Sequence, residues 1–290
     1  MSKLFLGTGV ALITPFLSDN KIDYNSLERI IKFVDLPQIN YFAILGTTGE
    51  SATLSWNEKI EILKFIVEKA PNKPILLGLG GNDTAQLLKE IKLINKYNIH
   101  GILSVTPYYN RPSQAGLISH YRQIADVSDH PIILYNVPSR TGVNLESEST
   151  LILSEHPNII GIKEASGDLK QCERILNSKP DDFLLLSGND ADTLAILKIG
   201  GKGSISVLAN YKPAAFGNMV QSYLNNNFDD ALRFQNELSV YFGWLDLEGN
   251  PTSIKTALKT IHLCEKTVRS PLMEGSIDLE NKFIKKDSCK

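Results

Sequence analysis

The sequence predicts a (β/α)8 barrel carrying a helical C-terminal extension, and three observations predict it. Short apolar, β-branched runs recur eight times, at residues 9–14, 41–45, 74–79, 101–105, 131–135, 159–163, 183–187 and 204–208. Helical stretches lie between them, at a repeat of roughly 30 residues that suits single βαβ crossovers. The runs are continuous rather than alternating, as in Ile132-Ile133-Leu134, which suits strands buried on both faces of a parallel sheet. Eight units without a long break favour a closed barrel over an open doubly wound sheet. The last unit, around residues 200–208, has the weakest pattern.

The elements follow in order. The apolar stretch 4–16 is broken by Gly7, Gly9 and Pro15 and has no small-residue cleavage site, so it reads as the first strand rather than a signal peptide. Leu27, Ile30, Ile31 and Val34 repeat at helical spacing, as do Ile60, Leu63, Ile66 and Val67, and then Leu87, Leu88, Ile91 and Ile94. Ser55 followed by Glu58 has the form of a capping box opening the second helix. Gly101 and Gly161 stand near the starts of the fourth and sixth strands, where the chain must turn. Beyond about residue 224 the alternation gives way to helix alone, at 228–245 and 254–263. The chain therefore divides into a barrel over 1–224 and a helical extension over 225–290, whose charged end, 281–290, is expected to fray.

Composition narrows the function. At 290 residues and 42% hydrophobic, the chain can bury a large core and is not disordered. Its 30 basic and 32 acidic residues leave a net charge of −2 with no basic stripe, which argues against a nucleic-acid partner. No apolar run approaches the ~18 residues of a membrane span. Cys172, Cys264 and Cys289 are odd in number and far apart, so neither a disulfide framework nor a CxxC zinc pattern can be built. Reduced thiols in a cytoplasmic enzyme are the simplest expectation. The five histidines lack metal-ligand spacing, so no metal is expected. Gly78, Gly80 and Gly81 do not complete GxGxxG, Lys202 lacks the P-loop spacing, and no GxSxG elbow occurs. Glycines 188, 200, 201 and 203 leave open a phosphate site near strands seven and eight.

In such barrels the chemistry sits on loops after the C-terminal strand ends. Lys163 directly follows Ile159-Ile160-Gly161-Ile162, so its stem starts inside the barrel mouth. A lysine is rarely buried without purpose, and a desolvated amine forms Schiff bases with carbonyl substrates. The plain alternative is a lysine that extends to solvent and pairs with Glu164. Tyr135 ends the neighbouring strand, and a phenol beside an amine can shuttle protons; otherwise it is an aromatic plug at the rim. Thr47 and Thr48, flanked by glycines, supply hydroxyls for a carboxylate cradle or simply cap the next helix. Arg140 offers a bidentate fork for a second carboxylate, or is a surface arginine. Amine, phenol, hydroxyls and guanidinium all map to one barrel face.

These segments are similar to a known family. GTTGES (46–51), TPYYNRPSQ (106–114), YNVPSRTG (135–142) and GIKEASG (161–167) resemble the dihydrodipicolinate synthase family in order and spacing, from about residue 7 to about 210, with Asn250-Pro251 as a later anchor. N-acetylneuraminate lyase and other pyruvate-linked aldolases share the barrel, lysine and tyrosine. The arginine of YNVPSRTG and the TPYYN segment favour the synthases. The resemblance implies that Lys163 forms an imine with pyruvate and that the derived enamine attacks L-aspartate-4-semialdehyde, giving 4-hydroxy-tetrahydrodipicolinate on the route to diaminopimelate and lysine. It implies a proton relay of Tyr135, Thr47 and Tyr109, the last reaching in from a neighbouring subunit of a homo-oligomer, expected to be a tetramer. It assigns Thr48 to the pyruvate carboxylate, Arg140 to the semialdehyde carboxylate, and Gly188 and Ile205 to the pocket wall through their backbones. It implies no metal or organic cofactor. It also maps an interface pocket for feedback lysine onto Ser51, Ala52, Trp56, Lys59, Asn82, Gln86 and Tyr108. Lysine-sensitive bacterial members usually carry an acidic residue where Gln86 stands and a histidine where Lys59 stands, so weak or absent inhibition is expected here.

Overall fold

Branched aliphatic runs bury both faces when helices cover one side and the barrel interior the other. The computed structural model describes residues 2–288 and has this arrangement. Its strands are β1 (Gly7–Ala11), β2 (Tyr41–Ile44), β3 (Ile75–Gly78), β4 (Gly101–Val105), β5 (Ile132–Asn136), β6 (Ile159–Glu164), β7 (Leu184–Ser187) and β8 (Gly203–Ser206). Each pairs in parallel with the next, and β8 returns to β1, closing the predicted barrel in sequence order. The helices between strands are α1 (Tyr24–Val34), α2 (Trp56–Lys69), α3 (Thr84–Ile94), α4 (Gln114–Val127), α5 (Pro138–Thr141), α6 (Ser147–Ser154), α7 (Leu169–Ser178) and α8 (Thr193–Lys198). After β8 come α9 (Pro213–Leu224), α10 (Phe228–Leu247), α11 (Thr252–Thr260) and α12 (Ile277–Ser288). Ser55 and Glu58 do form the capping box that opens α2.

Two apolar layers follow from the strand alternation. Inward positions such as Tyr41, Leu76, Leu103, Ile133, Leu184 and Leu186 fill the barrel, and outward positions pack beneath the helices. The weak pattern of the eighth unit has a packing cause. A Cβ on Gly203 would lie 2.0 Å from the Gly7 carbonyl oxygen, so the β8–β1 seam leaves no room for a side chain there. The first run shifts too: Leu12 makes a last bond to the Ala43 carbonyl on β2 (2.9 Å), and Ile13 and Thr14 are buried but leave the sheet. The Ile13 N–H donates to Asn210 Oδ1 (3.3 Å) and the Thr14 hydroxyl to the Gly49 carbonyl (2.7 Å).

The charged end corrects the expectation of fraying as far as residue 288. Leu279 and Phe283, four residues apart, are buried in α12, and Phe283 meets the rings of Tyr211 and Trp244 edge-on at 5.5 and 5.4 Å. The Asp287 carboxylate accepts from Tyr211 (2.6 Å), Tyr241 (2.7 Å) and Lys212 (2.6 Å). These anchors are sparse in a charged stretch, so composition conceals them. Cys172 and Cys264 are free and buried; Cys289 lies outside the described residues.

Candidate functional site

Tyr135 and Lys163 are register partners on β5 and β6, and the residues after them, Asn136 and Glu164, pair in turn. Alternation sends each pair to opposite faces. Tyr135 and Lys163 point inward, 7% and 5% exposed. Lys163 Nζ stands 4.1 Å from the centroid of the Tyr135 ring. Glu164 points out of the barrel and accepts from Asn136 Nδ2 (3.1 Å), Gln171 Nε2 (2.9 Å) and the Ser166 N–H (2.8 Å). Burial holds its carboxyl above the usual range against these hydrogen bonds. The alternative pairing of Lys163 with Glu164 is thereby excluded. Gly188, at the end of β7, backs onto the lysine stem: a Cβ there would lie 3.0 Å from Lys163 Cγ and Cε. With the crowding at Gly203, this gives those two glycines packing reasons that need no phosphate.

Around Lys163 an open cavity of about 200 Å3 is lined by Thr48, Tyr135, Arg140, Gly188 and Asp190, among others. It is smaller than the ~300–1,000 Å3 pockets that take drug-sized ligands and suits an acid of a few carbons. Thr48 is buried, and its Oγ1 accepts from Asn250 Nδ2 at 3.0 Å. Arg140 sits on α5, opened by Pro138, and donates to the Asn250 carbonyl at 3.1 Å. Asn250 therefore links Thr48 and Arg140.

The remaining expected residues are placed differently. Thr47 is half-buried beside Thr48 but does not line the cavity. Ile205 packs in the barrel interior with Tyr135 and Leu186, and the wall above is formed by Val207. Tyr109 is 89% exposed on a turn with φ 72°, away from this chain's own cavity. The seven residues of the expected lysine pocket fall on the turns and helix starts after β2, β3 and β4. Asn82 Nδ2 donates to the Tyr108 carbonyl (3.1 Å), while Gln86 Nε2 is turned onto Glu90 (3.1 Å).

Sequence reasoning left the two acidic lining residues, Asp190 and Asp246, without a role. Asp190 Oδ2 accepts from the N–H groups of Val207 (3.1 Å) and Leu208 (2.7 Å). Burial pushes its carboxyl up to about 6, while hydrogen bonds from Ser206 and Leu208 and the charge of Lys163 pull the other way. An acid three residues beyond the end of a strand is the signal that could have singled it out. Asp246 enters with Phe242 and Leu245 from α10, so the C-terminal extension forms part of the entrance.

The sequence profile of the dihydrodipicolinate synthetase family matches residues 4–286. The chain is 41% identical over 281 residues to 4-hydroxy-tetrahydrodipicolinate synthase of Flavobacterium psychrophilum, covering 96% of each. Among solved structures it resembles dihydrodipicolinate synthase of Thermotoga maritima with a TM-score of 0.95 and 34% identity, over 99% of this chain and 100% of that one. The chloride-inhibited dihydrodipicolinate synthase of Acinetobacter baumannii, solved in complex with pyruvate, matches with a TM-score of 0.94 and 33% identity, over 98% of each.

Proposed function

The chain belongs to the dihydrodipicolinate synthetase family, and we propose that it condenses pyruvate with L-aspartate-4-semialdehyde to 4-hydroxy-tetrahydrodipicolinate, on the route to diaminopimelate and lysine. One observation carries the reading: the inward amine of Lys163 stands against the Tyr135 ring in a small cavity that also holds Thr48 and Arg140.

The neutral amine of Lys163 attacks the ketone carbon of pyruvate. The carbinolamine loses water, with Tyr135 passing the protons, and an imine forms. Thr48 receives the pyruvate carboxylate. Its Oγ1 already accepts from Asn250, which leaves the hydroxyl proton for the substrate. Loss of a methyl proton gives the enamine, whose carbon adds to the semialdehyde aldehyde while Arg140 holds that substrate's carboxylate. The substrate amine then attacks the imine carbon, displaces Lys163 and closes the ring. Every bond change is accounted for by the lysine and proton transfer, so the reaction calls for no metal or organic cofactor. Among the described residues no helix is long and apolar enough to cross a membrane; a cytoplasmic location is inferred from the expectation of reduced thiols.

The exposed Tyr109, on its left-handed turn, fits a residue completing the relay in a partner subunit, and a homotetramer is the assembly we infer. The test is turnover with purified protein: condensation of pyruvate with aspartate semialdehyde is expected. Cleavage of N-acetylneuraminate without that condensation would assign the chain to the lyases instead.

A further inference from the structure

The loop presenting Thr47 and Thr48 is bracketed by two non-glycine residues in the left-handed region, Leu45 (φ 55°) and Glu50 (φ 53°). A residue with a Cβ is disfavoured there and persists where its surroundings hold it. For Glu50 the side-chain restraint comes from the C-terminal extension. Its Oε1 accepts from Lys255 Nζ, on α11, and its Oε2 from the N–H of Arg269 at 3.0 Å. The ion pair is buried, with side chains 0% and 1% exposed. Lys255 also donates to the Thr267 carbonyl (2.9 Å), and Phe16 lies 4.1 Å from Lys255 Nζ and 4.5 Å from Arg269 Cζ.

Neither charge lines the cavity. Burying an ion pair is expensive, and apolar replacements of such pairs are often no less stable, so stability alone is a weak reason for this one. Its neighbours supply a better reason. Thr48 is two residues from Glu50 and receives Asn250 from the same extension; Gly49, between them, is pinned by Thr14. The restraints fall on Thr48, which lines the cavity, and on the two residues after it.

We propose that the Glu50–Lys255 ion pair is a positioning element for the pyruvate-carboxylate subsite. It holds the left-handed turn after Thr47-Thr48 so that the Thr48 hydroxyl faces the substrate, and it makes the C-terminal extension part of substrate recognition. The inference rests on the pyruvate reading above. Lys255 and Glu50 touch no reacting atom, so relaxing the turn weakens binding of the acid before the covalent step and leaves the amine's chemistry in place.

The test measures borohydride trapping of pyruvate against pyruvate concentration in the full-length protein, the Lys255→Met variant and the Glu50→Gln/Lys255→Met double variant. The single variant strands a buried carboxylate and risks unfolding; the double variant removes both charges and keeps similar volumes. Half-saturating pyruvate is expected to rise about tenfold while the limiting trapping rate changes by less than about threefold, the pattern of lost binding rather than lost chemistry. A folded double variant with half-saturation within about twofold of the unsubstituted protein overturns the proposal, as does a fall of limiting rate in step with melting temperature. Absence of any adduct on Lys163 in the unsubstituted protein would instead remove the pyruvate reading itself.

Discussion

The Lys163 amine lies over the face of the Tyr135 ring, 4.1 Å from its centroid, because the two residues are register partners on adjacent parallel strands. In the proposed reaction the ring face packs against the lysine and the phenol hydroxyl on the same ring carries the proton. Tyr135→Phe separates these roles, keeping the ring and removing the hydroxyl. Pyruvate should still add to Lys163, while turnover falls by about 10²-fold or more, the usual contribution of a positioned proton carrier. Unchanged turnover in a steady-state assay would show that the phenol carries no proton.

Arg140 donates to the Asn250 carbonyl and keeps further N–H groups to offer at the cavity. Arg140→Ala should slow condensation by about 1.5–3 kcal/mol, the worth of a charged hydrogen bond, while imine formation changes little. Stopped-flow trapping and steady-state turnover, run side by side, distinguish the two steps. An equal loss in both would move Arg140 from the second substrate to the first.

Asp190 gives a pH signature. Burial pushes its carboxyl up to about 6, against ~3.9 in an unfolded chain. Between these values the native state keeps a proton that the unfolded state releases, so this group's contribution to stability falls as pH rises. Above the folded pKa the ionised carboxylate costs folding up to about 3 kcal/mol. Asp190→Asn removes that cost. The stability difference, variant minus unsubstituted, should climb with pH across this window and level off above it. Urea denaturation at several pH values checks this, and a difference flat across the window would mean that Asp190 does not titrate there.

Tyr109 is 89% exposed in the single chain and lines none of its own cavity. If it completes a partner's site, Tyr109→Phe and Lys163→Ala proteins, each nearly inactive, should regain activity when their subunits are mixed and exchanged. A fully active monomer on size-exclusion chromatography would remove the role in trans.

Lys163 was legible in the sequence because a buried aliphatic run leads straight into it, and Tyr135 because its strand ends the same way one unit earlier. Periodicity alone could not tell where β1 ends, because Ile13 and Thr14 continue the run yet bond to Asn210 and Gly49. The seam at β8 was faint because close backbone approach selects Gly203 there, which carries no hydrophobic signal. Asn250 and Asp246 come from the far end of the chain, and no local pattern states which barrel face a distant segment will cover. The docking of α12 rests on two apolar residues and Asp287 in a charged stretch, too few for composition to register.

The proposed reaction depends on an imine between Lys163 and pyruvate. Borohydride reduction in the presence of pyruvate, followed by peptide mass spectrometry, tests it most directly. A pyruvate-derived mass is expected on the peptide containing Lys163 and not in Lys163→Ala. An adduct on a different lysine, or none at saturating pyruvate, would contradict it.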